Sequence, residues 1–219
     1  RGLGDVYKRQ ELPYETIPVD LQNKSKEFCE AYARANPIPL ARAKVPVLEV
    51  VGDHTNFALC ESLVVADYIA ERYPNVGLIP TNSVEDRATM RLFVELCGSS
   101  FSYWNILRSQ GDDEKFDLAV EEFHQGLINV NAFLEKMGDS SRGPFLFGDQ
   151  FSLAECDTAP FLQRACNVLP VFTGVDSVLV DPIKFCDEQD LSRLKTWIMA
   201  VLARPSVKAT ELPLSLIHI

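Results

Sequence analysis

Residues 44–73, KVPVLEVVGDHTNFALCESLVVADYIAERY, decide how this chain folds. The runs VPVL from Val45 and FALC from Phe57 are short and apolar, and polar residues 52–56 separate them, which is typical of a β-hairpin. From Leu63 onwards, apolar residues recur at helical spacing as far as Tyr73. The stretch therefore predicts a strand, a second strand and a helix, with polar side chains where the second strand meets the helix.

Two features of this stretch predict backbone groups that are free to bind a ligand. Pro46 cannot donate to a strand ladder, and its peptide bond with Val45 is a candidate cis bond that would turn the Val45 backbone groups outward. Glu61 and Ser62 open a helix, where free N–H groups and the helix dipole favour an anion, and Ser62 is a candidate N-cap. A small acidic peptide such as glutathione would suit both features.

The same residues resemble a known family. A V-P-V-L-E run, a hairpin, and E-S opening a helix that ends in E-R-Y-P are similar to the second half of a glutathione transferase N-terminal domain, which is thioredoxin-like. The segment ESLVVADYI is most similar to the omega-like branch. The resemblance extends from about Leu12 to about Thr210.

The resemblance implies a glutathione site. In the family, the residue before the cis-proline pairs with the cysteinyl backbone of glutathione, and this role falls on Val45 beside Pro46. Glu61 and Ser62 would hold the γ-glutamyl end. In the omega-like branch a lysine before the second helix also contacts glutathione, and Lys24 matches that lysine.

The N-terminal part of the chain departs from the family pattern. Residues 1–10 and 214–219 look foreign to it, and Leu12–Leu21 and Asn23–Ala35 are predicted as the family's second strand and second helix. The first strand, which lies inside the family's sheet, and the first helix are therefore expected to be missing. Because the family's reactive Tyr, Ser or Cys begins that first helix, no catalytic residue can be named, and we expect this chain by itself to be inactive.

Beyond a linker at residues 75–83, every strong signal is helical. Apolar residues at three- and four-residue steps predict helices at Glu85–Arg108 and Glu114–Met137, packed antiparallel, and a last helix at Asp190–Ala203 that Pro205 ends. We thus predict an incomplete α/β thioredoxin-like domain at residues 11–80 and an all-α helical bundle domain at residues 84–210.

Three features of the helical part lead to further predictions. Ser152 and Glu155 form a capping box, which we assign to folding, and Pro160 should bend the helix that follows. By resemblance, the second substrate binds between the domains, against a stretch that holds three aromatic residues. At helical spacing those residues are more often core than pocket: Phe101, Tyr103 and Trp104.

Charge and length exclude some classes of protein. The 219-residue chain has a net charge of −10, which argues against binding of nucleic acid or of an anionic membrane. No apolar run approaches the roughly 20 residues of a membrane-spanning helix, and no signal peptide is visible. We expect a cytoplasmic protein.

Cysteine and histidine spacing gives no sign of a metal site. The six cysteines are scattered without a CxxC pair, so free thiols are favoured over three disulfides, and the three histidines are isolated. Cys60 adjoins Glu61, but packing in the core explains it better than chemistry does.

The sequence thus predicts an omega-like glutathione transferase that uses glutathione for thiol transfer or reduction, or for conjugation. Its second partner would be a small electrophile or a disulfide, and by resemblance it would form a homodimer. The alternative is a binding or scaffold protein that keeps the fold without catalysis, as in the gamma subunit of elongation factor complexes.

Overall fold

A computed structural model describes residues 14–38, 40–52, 57–80, 83–174 and 179–211. In this part of the chain a small α/β domain precedes a helical domain, as predicted. The N-terminal elements are α1 (Lys26–Ala35), β1 (Val47–Val50), β2 (Phe57–Cys60) and α2 (Ser62–Arg72), followed by a 3-10 turn at Pro74–Val76. The C-terminal helices are α3 (Val84–Ser100), α4 (Tyr103–Arg108), α5 (Asp113–Met137), α6 (Leu153–Asn167), α7 (Leu169–Thr173), α8 (Pro182–Glu188), α9 (Ser192–Ala203) and α10 (Pro205–Lys208).

The predicted hairpin is confirmed. β1 and β2 are antiparallel, and their register runs from Val50 opposite Phe57 to Val47 opposite Cys60. Helix α1 packs against both strands. Of the turn predicted at residues 52–56, residues 53–56 lie outside the described residues.

The predicted strand at Leu12–Leu21 is wrong where the structure describes it. Residues 14–20 have no regular structure and are almost all exposed, because a strand needs a pairing partner and β1 and β2 pair only with each other among the described residues. The following helix also begins later than Asn23. The Ser25 hydroxyl accepts from the Phe28 N–H and so caps α1.

The predicted helix at Glu85–Arg108 is divided into α3 and α4. The division falls between two aromatic side chains, Phe101 and Tyr103, that are 0% and 1% exposed. Residues two apart point to different sides of one continuous helix. The break at Ser102 therefore allows both rings to enter the core.

Helices α3 and α5 form the predicted antiparallel pair. The ring centroids of Phe93 in α3 and Phe133 in α5 are 5.4 Å apart. Ser100, seven residues later in α3, contacts Gly126, seven residues earlier in α5, so the two helices run in opposite directions. A Cβ atom on Gly126 would lie 2.8 Å from the Ser100 Cα. The two helices cross this closely because glycine occupies the crossing point.

The capping box before α6 is confirmed and has a larger role. The Glu155 carboxylate accepts from the N–H of Ser152 (2.9 Å) and its hydroxyl (2.8 Å), from the Leu146 N–H (2.9 Å) and from Nε1 of Trp197 (3.1 Å). Trp197 of α9 is fully buried and packs edge-on against Phe93. One carboxylate thus joins the loop before α6, the first turn of α6 and α9. Its role is structural, as expected.

The last predicted helix is present as α9, beginning at Ser192 rather than Asp190. It ends before Pro205 as predicted, and the short α10 follows. Pro160 lies inside α6, which continues to Asn167, and the bend expected there stays a prediction.

The start of α6 also connects the two domains. The Leu153 N–H, which has no acceptor within its own helix, donates to the Leu78 carbonyl at 2.9 Å. Beside it, the Gln150 side-chain amide donates to the Gly77 carbonyl at 2.7 Å. Helix α2 packs against α6 next to these bonds, so that α6 fixes the position of the N-terminal domain.

The helix crossing at Gly126 gives a test of the packing. We expect Gly126→Ala to lower the free energy of unfolding by about 1–3 kcal/mol, because the clash with Ser100 outweighs the helix propensity of alanine. Gly98→Ala is the matched control, since nothing lies within 4 Å of its Cβ position on α3, and it should gain about 0.5–1 kcal/mol. Urea unfolding followed by circular dichroism measures both variants, and equal gains would contradict the close crossing.

Candidate functional site

Four of the predicted site residues lie together at the open end of the hairpin. The last ladder pair is Val47 with Cys60, and Val45 and Ser62 are each two residues beyond it on their own segments. Pro46 and Glu61 lie between them and the ladder. The segment that enters β1 and the segment that leaves β2 are therefore adjacent at this end.

On the β1 side, the backbone before the strand is available for a ligand. The peptide bond between Val45 and Pro46 is cis, and Val45 is 47% exposed. Within the described residues, the Val45 N–H and C=O make no hydrogen bond. One residue of main chain beside the ladder can thus pair with an added peptide.

On the β2 side, the helix cap differs from the prediction. Glu61, not Ser62, is the N-cap of α2, and it has a φ of 68° and a ψ of 117°. The reason is that the chain must turn sharply from β2 into the helix, and Glu61 takes up that turn. A non-glycine residue with such a φ costs of order 1 kcal/mol, and strain of this kind clusters at functional sites.

Because Ser62 is already helical, the start of α2 has free donors. The first intrahelical bond runs from the Val65 N–H to the Glu61 carbonyl at 2.9 Å. The N–H groups of residues 62–64 thus have no acceptor within the helix, and the dipole makes this end attractive to an anion. The half-buried Ser62 side chain adds a hydroxyl, and the exposed Glu61 carboxylate lies beside it. The end of the hairpin can therefore bind both a carboxylate and an ammonium group.

Lys24 lies outside the hairpin, on the segment that leads into α1. It precedes the Ser25 cap at the N-terminus of α1, and at the other end of that helix the Ala35 carbonyl accepts from the Cys60 thiol of β2. Ten helical residues span about 15 Å. A contact between Lys24 and a ligand at Ser62 stays a prediction.

Five of the six cysteines are buried or half-buried, and Cys29 is exposed. All six are free, and Cys60 is half-buried with its thiol directed at the Ala35 carbonyl, at an S···O distance of 3.7 Å. The Cys60 thiol therefore packs against the last turn of α1. Burial raises the pKa of both Cys166 and Cys186 to about 12, so neither thiol ionises near neutral pH.

The three aromatic residues considered for the second substrate have different surroundings. Phe101 and Tyr103 are buried in the helical core, and Phe101 stacks on Trp197. Trp104 is half-buried, with the Arg108 guanidinium 5.9 Å from its ring centroid. Of the three, Trp104 is therefore the one that can still offer surface to a ligand.

A pair of carboxyl groups at the domain boundary escaped the sequence analysis. Asp157 of α6 is 8% exposed, and burial raises its pKa to about 8, with a further contribution from the charge of Asp67 in α2. The signal was present in the sequence, because Asp157 interrupts a largely apolar segment at 153–162. The sequence alone does not show that the charge of Asp67, in the other domain, acts on Asp157.

Metal and membrane features can be stated for the described residues. In that part of the chain, no three His, Cys, Asp or Glu side chains are grouped to hold a metal ion. His54 and His218 lie outside it, and His124 stacks on Phe185 with its Nε2 3.0 Å from the Leu179 carbonyl oxygen. No described helix combines the length and apolarity needed to cross a bilayer.

Comparison with known proteins agrees with this fold. The family model described as glutathione S-transferase, N-terminal domain, matches residues 7–72, and the model of the C-terminal domain matches residues 117–198. The chain belongs to the glutathione transferase family.

Two curated relatives carry the name of an isomerase. Probable maleylacetoacetate isomerase 2 from Drosophila melanogaster is 30% identical over 160 residues, covering 71% of this chain and 65% of the relative. Maleylacetoacetate isomerase from Rattus norvegicus is 27% identical over 158 residues, covering 70% and 67%. The chain thus spans about two thirds or less of these relatives.

A solved structure matches nearly the whole chain. Glutathione transferase Omega 2C from Trametes versicolor superposes with a TM-score of 0.70 at 22% identity, covering 95% of this chain and 86% of that protein. At this identity the match shows the shared fold.

The left-handed conformation of Glu61 can be tested through stability. We expect Glu61→Gly to be about 1 kcal/mol more stable than Glu61→Ala, since glycine adopts this φ without strain and alanine does not. Both variants remove the same carboxylate, so urea unfolding isolates the backbone effect. Equal stability of the two variants would show that Glu61 is not strained in solution.

Proposed function

We propose that this chain binds glutathione at the open end of the hairpin, as the glutathione-binding part of an omega-like glutathione transferase. The observation that carries the proposal is the meeting of the unpaired Val45 backbone with the free N-terminus of α2 at Ser62. The two features recognise different parts of one small peptide.

The proposed pose follows from the donors and acceptors of the site. The Val45 N–H and C=O pair with the cysteinyl residue of glutathione in the manner of an added strand. The α-carboxylate of the γ-glutamyl group accepts from the Ser62 hydroxyl and the first N–H groups of α2. The α-ammonium group then lies next to the Glu61 carboxylate.

Local charge favours this orientation despite the acidity of the chain. A net charge of −10 repels an anionic peptide at long range, but exposed charges farther away than about 10 Å are largely screened at ordinary salt. Within the site, the N–H donors at the start of α2 that have no acceptor in the helix outweigh this screened repulsion. Affinity should therefore depend more on Ser62 than on net charge.

For the reaction, we propose thiol transfer or reduction with glutathione, with conjugation to small electrophiles as the neighbouring activity. Each uses the glutathione thiolate as the nucleophile, which needs a stabilising hydrogen bond or positive environment. Trp104 is the candidate contact for the second substrate. The group that stabilises the thiolate is left unassigned, because Cys60 faces α1.

A second candidate reaction comes from the relatives. Because the two curated relatives described above are named maleylacetoacetate isomerase, isomerisation of maleylacetoacetate is the alternative that we propose to assay. Both reactions would use the same glutathione site. A scaffold without catalysis is the remaining alternative, and it predicts that glutathione does not bind.

We further propose a cytoplasmic homodimer. Six free thiols fit a reducing compartment. Exposed apolar side chains on α2 and α3 could form a self-association surface: Leu63 (44% exposed), Val64 (50%) and Leu92 (57%).

Binding of glutathione is the direct test. We expect Ser62→Ala to weaken glutathione binding roughly tenfold or more, because a hydrogen bond to a charged group is lost. Isothermal titration calorimetry measures the Kd of the chain and of its variants. Glu61→Gln should also weaken binding, since it removes the charge beside the ammonium group.

Ser99→Ala is the matched control for this experiment. Ser99 is an exposed helical serine whose hydroxyl donates to the Leu96 carbonyl, so its loss should leave the Kd unchanged. Absence of glutathione binding by the unmodified chain, or equal affinities of the Ser62 and Ser99 variants, would count against the site.

The proposed dimer is tested separately by sedimentation equilibrium. We expect a mass about twice the 24.5 kDa of the chain at micromolar concentration, and Leu92→Glu should shift it towards the monomer by placing a charge in the apolar surface. Leu118→Glu is the control, because Leu118 is equally exposed (56%) but lies on α5. A monomeric mass for the unmodified chain would contradict the proposal.

A further inference from the structure

A solvent-facing side of α5 carries a groove that the proposed function does not use. The groove has a volume of about 330 Å³, which is at the lower end of the range of ligand pockets. Every described residue that lines it lies on α5, apart from Leu179 shortly before α8. The groove therefore belongs to the helical domain, and no residue of the hairpin end contributes to it.

Two rows of side chains run along the groove. Residues four apart lie on one face of a helix, so Phe116, Val120 and Ile128 form an apolar row together with the ring of His124. Leu179, which is 48% exposed, adds an apolar wall opposite this row. One position further along the chain, a second row begins with two exposed carboxylates: Asp117 and Glu121.

The wall of the groove is held in position. The Nε2–H of His124 donates to the Leu179 carbonyl at 3.0 Å. The His124 ring also stacks on Phe185 of α8, with ring centroids 3.9 Å apart and planes 14° apart. Because these contacts fix Leu179 against α5 before any ligand is present, a ligand loses little affinity to ordering of the groove.

The two carboxylates at the groove are not neutralised. In the part of the chain that the structure describes, neither Asp117 nor Glu121 has an ion-pair partner, and like charges four residues apart on a helix repel each other. The lysines of α5 and α8 are occupied or distant: Lys115 is 2.6 Å from Asp112, Lys184 is 3.9 Å from Asp181, and Lys136 is in the last turn of α5. A cation placed between the two carboxylates would therefore relieve their repulsion.

His124 does not supply that cation at neutral pH. Burial lowers the pKa of His124, against a smaller opposite effect of its bond to the Leu179 carbonyl. The neutral ring is thus part of the apolar row, and the net charge of the groove comes from Asp117 and Glu121.

We propose that this groove binds a small organic cation with an apolar body, of the arylalkyl ammonium class. The apolar body lies against Val120, Ile128 and Leu179, and the ammonium group lies between the Asp117 and Glu121 carboxylates. Burial of the body supplies most of the affinity, and the carboxylates select the sign of the charge. Because both carboxylates are exposed, each contributes only a few-fold to the affinity.

The same charges disfavour a second copy of this chain as the occupant. In a symmetric contact each copy presents the same surface to the other. Pairing through the groove would bring the Asp117 and Glu121 carboxylates of two copies together, and like charges across an interface are unfavourable. A ligand of opposite charge has no such penalty.

Three probes with one apolar body test the proposal on the full 219-residue chain. They are 4-phenylbutylammonium, 4-phenyl-1-butanol and 4-phenylbutyrate, which are positive, neutral and negative at pH 7.5. Nitrogen-15 NMR titration locates each probe and measures its Kd. We expect shifts of the α5 amides around residues 116–128, with a Kd for the cation at least threefold below that of the alcohol and weakest binding for the anion.

A double variant tests the role of the carboxylates. Asp117→Asn with Glu121→Gln should raise the Kd of 4-phenylbutylammonium about fivefold or more, because two charge contacts are lost, and should leave the Kd of the alcohol within twofold. The matched control is Glu122→Gln with Glu135→Gln. It removes the same two charges from exposed positions of α5 outside the groove, so both Kd values should stay within twofold.

A second pair of variants tests the apolar row. Ile128→Thr should weaken binding of the cation and of the alcohol alike, by about threefold, because apolar contact area is lost. Leu118→Thr is the control, since Leu118 is also on α5 and is 56% exposed but does not line the groove. It should change neither Kd.

Several outcomes would overturn the proposal. Absence of shifts on α5, equal affinities of the three probes, or equal effects of the two double variants would each do so. Line broadening of the α5 amides that dilution reverses, without any probe, would show that a second copy occupies the groove instead. The comparison of probes needs only the unmodified chain, so it decides the question even where a variant does not fold. Glutathione takes no part in these measurements, and they stand or fall independently of the proposed function.

Discussion

The buried Glu155 carboxylate is the interaction on which the rest of the structure depends. A carboxylate that is 0% exposed loses its hydration, at a cost of several kcal/mol, unless it is fully hydrogen-bonded. Here four donors from the preceding loop, the helix cap and α9 surround it. Arg193 of α9 binds carbonyl groups of the same loop, so that loop is held through both its donors and its acceptors. The position of α6 follows, and with it the position of the N-terminal domain.

Much of this fold could be predicted because its signals are local. The capping box, the heptad pattern of α5 and the two apolar runs of the hairpin each lie within a short segment, and all three are present. The predicted strand at Leu12–Leu21 failed because a strand is defined by a neighbour that the segment itself does not encode. The break at Ser102 was missed because apolar spacing alone does not show that two nearby rings enter the core together.

The candidate site could be predicted in part for the same reason. Val45, Pro46, Glu61 and Ser62 all adjoin the two strands of one hairpin, so its register brings them to one end. The cap was assigned to Ser62 because serine is the better capping residue, whereas the sharp exit from β2 shifts that position to Glu61. Asp157 was missed because its environment is created by a helix about ninety residues earlier in the chain, which no local pattern reveals.

The bond from the Leu153 N–H to the Leu78 carbonyl has a consequence for how the molecule assembles. The first amide of α6, in the helical domain, donates to a carbonyl near the C-terminal end of the α/β domain. In an isolated helical domain, that amide would have to bond to water or to a non-native acceptor. Folding of the helical domain is therefore coupled to docking of the α/β domain. The segment between them is part of the packed structure and does more than connect the two domains.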